Sequence, residues 1–244
     1  MYSILEHYLS TNHILMIGMI VTFILTFFLL EHPFSFLPSD QGRAFAVNGS
    51  LSKGKLRGVG FIFVLCFLIS SVLFLPIDVE YVIYAILLFA MMISGYLDDA
   101  SKTPWNEYKK GLIDLVISVV AVLTYMNFNS TTICFGADEI VIPKALFLIL
   151  GVILIWVSVN VTNCTDGVDG LCASLCSVTL LAFGVLFAPI LQKYAMANFL
   201  FLSVLFAYLY FNSSPSSMLM GDAGSRACLL YTSPSPRDMR RSRM

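Results

Sequence analysis

Four polar segments of the chain carry the side chains that could do chemistry. Asp98 and Asp99 stand together at the end of an apolar run, with Lys102, Lys109 and Lys110 downstream. On a continuing helix adjacent side chains diverge by about 100°, so this pair suits two separate tasks better than chelation of one ion. Residues 160–170, NVTNCTDGVDG, are dense in oxygen ligands and turn-permissive glycines. Asn160 and Asn163 are three apart, as are Asp166 and Asp169, which puts each pair on one face of a helix or turn. A hard cation such as Mg²⁺ binds through a few carboxylates plus phosphate oxygens and water, and this composition could supply them. Met220-Gly221-Asp222-Ala223-Gly224-Ser225 sets a lone carboxylate between glycines, which let a ligand approach the backbone. Asp40-Gln41-Gly42-Arg43 and Ser52-Lys53-Gly54-Lys55-Leu56-Arg57-Gly58 interleave bases with glycines, a pattern that suits an anionic group. Each segment also has a plainer use: a solvated helix end, an Asx turn capping the next helix, an Asp-Gly turn, or attraction to lipid headgroups.

The elements that must position these segments are long and apolar. Of 244 residues 58% are hydrophobic and 12% charged, against roughly 25% charged in an ordinary soluble domain, which excludes a soluble globular fold. Seven mainly apolar runs, close to the roughly 20 residues that cross a bilayer core, cover Ile14–Leu30, Val59–Leu75, Tyr81–Leu97, Leu112–Met126, Ala145–Val161, Leu171–Leu191 and Met196–Phe211. They lack the two-residue alternation of barrel strands, so they predict an all-α, polytopic helical membrane protein. The first run lacks a basic leader and is followed by Glu31-His32-Pro33, which does not fit a cleaved signal peptide.

Seven spans put the loops after the first, third, fifth and seventh on one side. That set holds eight bases (Arg43, Lys53, Lys55, Arg57, Lys102, Lys109, Lys110 and Arg226) against Lys144 and Lys193 on the other. The positive-inside rule then makes the first set cytoplasmic and the N-terminus extracytoplasmic. Asp98, Asp99, Asp166, Asp169 and Asp222 fall on the same side, although acids contribute little to orientation. Topology alone therefore gathers them at one face. Residues 1–236 hold ten bases against fourteen acids, which argues against nucleic acid as a partner. The six cysteines are scattered, without CxxC spacing, and read as packing residues. His7, His13 and His32 have no predicted catalytic place.

Taken in order, the Lys/Gly-rich loop, GYLDD, NVTNCTDGVDGL and MGDAGS closely resemble the phospho-N-acetylmuramoyl-pentapeptide transferases, of the polyprenyl-phosphate N-acetylhexosamine-1-phosphate transferase superfamily. The resemblance covers about residues 10–227. It implies transfer of phospho-MurNAc-pentapeptide from UDP-MurNAc-pentapeptide to undecaprenyl phosphate, with release of UMP, formation of lipid I and Mg²⁺ as cofactor. This would occur at the cytoplasmic face of the bacterial inner membrane. By match to the family's motifs, Asp98, Asp99 and Lys110 are the catalytic candidates and Asp98 would activate the polyprenyl phosphate. Asp222 matches the Mg²⁺-binding aspartate. Lys53, Asn160, Asn163, Asp166 and Asp169 would line the substrate site.

The family pattern also differs from this chain. Leu56 stands where the first loop usually has proline, and the family has about ten helices and a histidine-rich cytoplasmic loop after GDAGS. From Cys228 onward the sequence resembles a frame-shifted or adapter-derived tail. Residues 1–227 are therefore expected to form one incomplete transferase domain, 228–244 to be non-native, and the chain as it stands to have little activity. The closest competing activity is transfer of GlcNAc-1-phosphate from UDP-GlcNAc to the same lipid. A more distant one is a transporter or membrane scaffold, against which the acids lie at span ends rather than mid-span. The sequence leaves the oligomeric state open, a homodimer included.

Overall fold

Each of the seven apolar runs winds into one helix, because a segment in lipid must satisfy its own backbone groups. The computed structural model describes residues 2–32, 34–40, 54–101, 103, 105–135, 138–189 and 191–232. Its elements, in chain order, are α1 (Tyr2–Tyr8), α2 (Thr11–Glu31), α3 (Gly60–Phe74), α4 (Val79–Asp99), α5 (Glu107–Phe128), β1 (Thr132–Phe135), β2 (Asp138–Val141), α6 (Lys144–Thr165), α7 (Leu171–Phe187), α8 (Gln192–Asn212) and α9 (Gly221–Thr232). Five of them, α2, α4, α5, α6 and α8, are long and apolar enough to cross a membrane. At 15 and 17 residues, α3 and α7 rise about 22 and 26 Å, short of a hydrocarbon core of roughly 30 Å. The chain is thus an all-α, multi-pass membrane protein whose one sheet among the described residues is the short antiparallel β1–β2 hairpin.

Polar residues set the helix ends. The Asp78 carboxylate accepts the Tyr81 N–H at 2.8 Å to start α4, and the Asn106 side chain accepts the Tyr108 N–H to start α5. Such caps satisfy donors that a helix leaves unpaired at its N-terminus. The sixth apolar run extends to Leu191, but α7 stops at Phe187, just before Ala188-Pro189. Proline disfavours helical backbone in the residue before it.

Helix association in lipid rests on close packing rather than on exclusion of water. The most buried long helix, α8, is apolar on every side and sits inside the bundle. Leu200, Phe201, Val204, Leu205 and Tyr208 are fully buried. The ring of Phe67 on α3 lies 4.7 Å from Phe201, and that of Phe63 lies 5.2 Å from Tyr208. By contrast α6 buries only Phe147, Val152 and Val159 and leaves Leu150, Ile153, Leu154 and Val157 exposed, an outer face suited to acyl chains.

The two ends of the bundle sort the loops as the alternation of spans requires. At one end Glu80 of α4 accepts hydrogen bonds from Asn129 at 2.8 Å and from the Tyr194 hydroxyl at 3.0 Å, while Lys193 pairs with Asp78 at 2.5 Å. The other end holds the start of α3, the end of α4, the start of α5 and the end of α6. The last helix, α9, enters there and packs against α3, α4 and α6. Its first turn lies on the backbone of α4 at Gly95. A Cβ on Gly95 would stand 2.5 Å from the Ala223 nitrogen and from the Asp222 carbonyl carbon and oxygen.

Candidate active site

At the α9 end, buried carboxylates from separate segments meet two cations. Residues 56–60 are stitched to 219–220 by main-chain bonds, among them Leu219 N–H to Leu56 O at 2.8 Å and Gly60 N–H to Met220 O at 3.0 Å. This fixes the first basic loop against the segment that opens α9. Gly221, with φ +68°, takes the left-handed conformation that favours glycine and turns the chain into α9. Asp222 then sits in the first helical turn, where the helix dipole favours negative charge.

Asp98 and Asp99 diverge, as their adjacency on a helix predicts. The Asp98 Oδ2 receives Lys110 Nζ at 2.7 Å, and its Oδ1 accepts the Trp105 N–H at 2.7 Å. Asp99 turns the other way, pairing through Oδ1 with Arg57 Nε at 2.9 Å and accepting the Ala223 N–H through Oδ2 at 3.2 Å. That second bond caps an otherwise unpaired donor of α9 from a different helix. Asp222 closes the arrangement: its Oδ2 lies 3.3 Å from Lys110 Nζ and its Oδ1 3.4 Å from Arg57 Nη2. Asp40 lies 3.6 Å from Arg57 Nη1.

Charge explains how these groups coexist. Burial alone would raise the Asp222 carboxyl, but Lys110, a hydrogen bond with Asp98 and the charge of Arg57 outweigh it and hold the group below the usual carboxylate range. Burial would likewise strip the proton from Arg57. The charges of Asp99, Asp222, Asp40 and Asp166 overcome this and push it above its ordinary value. Asp40, Asp98, Asp166 and Asp222 are all buried and the Asp99 side chain has no exposed surface. Five buried acids therefore share two cations, Arg57 and Lys110, and burial together with the charge of Asp222 pushes the Asp99 carboxyl up to about 6, which limits the excess of negative charge.

The remaining expected residues fall at different distances from this centre. Asn163 accepts the Ser225 hydroxyl at 2.9 Å, one turn beyond Asp222 on α9. Asp166 is buried at the end of α6 and close enough for its charge to act on Arg57. Asp169 stands apart, in a latch where it accepts the Ser216 hydroxyl at 2.7 Å and the Ser216 N–H at 3.1 Å and pairs with Lys55 at 3.7 Å. Asn160 donates to the Trp156 carbonyl one turn back on its own helix and makes no contact with the acids. Lys53 lies outside the described residues. Sequence reasoning gave no site role to Arg57, Lys55, Ser216 or Ser225, nor to Asp114, which is buried on α5 and pairs with the buried Arg226. The signal for Arg57 was its place between glycines in the basic loop, which equally suited a residue that only sets topology.

Among the described residues no three acidic, histidine or cysteine side chains form a ready-made metal cage. Mg²⁺ does not need one: it is held by one or two carboxylates, with water and phosphate oxygens completing its shell. The all-oxygen donors and the excess of buried carboxylates fit that requirement. Cys66, Cys172, Cys176 and Cys228 are buried free thiols, in keeping with a packing role.

Comparison with known proteins places this geometry in a lineage. The chain is 34% identical over 233 residues to the phospho-N-acetylmuramoyl-pentapeptide-transferases of two strains of Treponema pallidum, covering 86% of this chain and 64% of theirs. It is 26% identical over 222 residues to the protein of the same name from Dictyoglomus turgidum, covering 88% of this chain and 71% of the relative. The chain thus spans just under two thirds of the length of its Treponema relatives. The model of glycosyl transferase family 4 matches residues 81–231, a stretch that holds Asp98, Asp99, Lys110, the 160–170 loop and Asp222, and the chain belongs to that family.

Proposed function

We propose that this chain is the greater part of an enzyme that transfers phospho-MurNAc-pentapeptide from UDP-MurNAc-pentapeptide to undecaprenyl phosphate, giving lipid I and UMP. The observation that carries the reading is the convergence of Asp98, Asp99 and Asp222 on Lys110 and Arg57 at one end of the bundle. Phosphoryl transfer requires mainly positioning and charge neutralisation, and a paired set of acids and cations supplies both. The names of the Treponema relatives give the transferred group, phospho-N-acetylmuramoyl-pentapeptide, and the donor and lipid acceptor are those that the resemblance of the four motifs implies. The eight-to-two distribution of bases supports placing this end on the cytoplasmic face of an inner membrane. There a nucleotide from the cytosol and a phosphate on a lipid can meet.

In this reading an oxygen of the lipid phosphate attacks the sugar-bearing phosphorus, and the bond to the UMP phosphate breaks. Asp98, oriented by Lys110 and the Trp105 N–H, accepts a proton from the attacking phosphate. Lys110 then offsets charge that develops in the transition state. Asp99 positions Arg57 and the first turn of α9, which fixes Asp222. Asn163 and Asp166 face the nucleotide, with Lys53 of the first basic loop as a further candidate by its place in the motif. Asp222 would hold Mg²⁺, which when bound neutralises charge on the departing diphosphate.

The test is UMP release by the chain with the residues after Ala227 replaced by the matching segment of the Treponema relative. Turnover with UDP-MurNAc-pentapeptide, abolished by chelation, restored by Mg²⁺ and lost in Asp222→Ala, is the expected result. Turnover with UDP-GlcNAc instead would overturn the donor assignment. Failure with both donors, in a protein folded in membranes, would overturn the activity.

A further inference from the structure

Arg57 occupies a place that the transfer reaction by itself does not require. Its three guanidinium nitrogens each lie near a different carboxylate: Nε is 2.9 Å from Asp99 without hydrogen-bond alignment, Nη2 donates to Asp222 at 3.4 Å and Nη1 is 3.6 Å from Asp40. A guanidinium used as a phosphate clamp presents its planar fork to the ligand, whereas here its nitrogens are ringed by carboxylates of the protein. The Asp222 carboxylate is also enclosed, with Oδ1 facing Arg57 and Oδ2 facing Lys110. A divalent cation arriving at Asp222 would lie within a few ångströms of one of these positive groups and be repelled by it.

The two cations are not equally free to give way. Lys110 projects from α5, is 13% exposed and is bonded to Asp98 at 2.7 Å as well as to Asp222. Arg57 belongs to the loop before α3, is 27% exposed, and makes a longer contact with Asp222 than with Asp99. It also has Asp40 and Asp99 as anchors to which it can withdraw.

We infer that Arg57 is a built-in counter-cation that occupies Asp222 in the metal-free protein and is displaced from it when a divalent cation binds. The inference rests on the reading of Asp222 as the carboxylate that holds the metal. Arg57 is a positioning residue in this scheme: it keeps the buried acids neutralised while the site is empty and sets the concentration at which the metal enters. The exchange replaces one ion pair by another and breaks no covalent bond.

The experiment is Mn²⁺ titration of the 244-residue chain in lipid nanodiscs, read by the paramagnetic resonance of free Mn²⁺, with thermal unfolding followed by Trp105 and Trp156 fluorescence. Arg57→Gln is expected to bind Mn²⁺ about tenfold more tightly than the unsubstituted chain, because the competing charge is gone. Its unfolding temperature should be lower without metal and should rise more on adding Mn²⁺. Arg57→Lys, which keeps the charge but loses the fork, is expected to fall between the two and serves if Arg57→Gln does not fold. Asp222→Asn should abolish binding. Equal or weaker Mn²⁺ affinity in a folded Arg57→Gln or Arg57→Lys chain would overturn the inference, as would absence of Mn²⁺ binding in every chain. Tight binding that survives Asp222→Asn would instead refute the assignment of the metal to Asp222. UMP release by the completed chain tests the transferase reading separately.

Discussion

The contact between Gly95 and the first turn of α9 makes the geometry of the site depend on a missing methyl group. In Gly95→Ala the new Cβ would lie 2.5 Å from the Ala223 nitrogen and the Asp222 carbonyl, where ordinary contact begins at 3.4 Å. Backbone cannot rotate away as a flexible side chain can, so α4 and α9 must separate by about 0.9 Å, the difference between those distances. A displacement of that size would carry the contact of Asp222 with Lys110 from 3.3 Å to beyond 4 Å and would break the 3.2 Å bond from the Ala223 N–H to Asp99. Overpacking of this kind costs about 1–3 kcal/mol, and a misplacement near 1 Å in a catalytic group costs on the order of 100-fold in rate. The assay is UMP release by the chain completed after Ala227, with thermal unfolding measured in parallel. Gly111→Ala is the control, because its Cβ would meet only the Trp156 Cζ2 at 3.7 Å and alanine favours helix by about 1 kcal/mol. The reasoning is refuted if Gly95→Ala keeps turnover within threefold of the unsubstituted protein at an unchanged unfolding temperature.

Further outcomes follow from the same contacts. Lys110→Met, which leaves Asp98 and Asp222 facing each other without their shared cation, should lower turnover by roughly 100-fold or more, with Lys110→Arg recovering part of it. Asn212 is buried and joins two segments, accepting the Gly170 N–H at 2.9 Å and donating to the Met218 carbonyl at 2.9 Å. Asn212→Ala should destabilise by about 1–3 kcal/mol, seen as a drop of several degrees in unfolding temperature. For Asp169, burial pushes the carboxyl up but is outweighed by the hydrogen bonds from Ser216 and the charge of Lys55, which bring it below its ordinary value. The stability this latch contributes is therefore complete above the unfolded carboxylate range near pH 4 and fades as the pH falls through the lower folded value. Unfolding temperatures measured from about pH 6 downward should fall more steeply in the unsubstituted chain than in Asp169→Asn, and parallel slopes would contradict this.

Helix placement was legible because bilayer thickness imposes a length and an apolar composition that a run of residues displays directly. All seven runs coincide with helices, and the mismatches lie at their ends: α8 begins at Gln192 and Lys193, which hydropathy cannot include but a helix can, and α7 stops short of its run at Phe187, ahead of Pro189. The gathering of the acids followed from span parity, which the bundle reproduces by bringing Asp98, Asp99 and Asp222 to one end. What could not be read was how α9 reaches its position. That depends on backbone contact at Gly95 and on main-chain bonds between residues 56–60 and 219–220, and neither leaves a periodic pattern. Arg57 was hidden for a related reason: its carboxylate partners are contributed by segments up to 165 residues away. Asn160 shows the converse, since spacing placed it beside Asn163, yet its amide was drawn to the nearest carbonyl of its own helix.

In the proposed function the acids and cations gathered around α9 form one site for a uridine diphosphate donor with a divalent cation. Equilibrium binding of UDP in the presence of Mg²⁺, measured calorimetrically on the 244-residue chain in nanodiscs, tests it directly. The account predicts saturable binding that weakens at least tenfold in both Lys110→Met and Asp222→Ala and disappears on chelation. Binding of the same strength in all three folded chains, or binding indifferent to Mg²⁺, would contradict it.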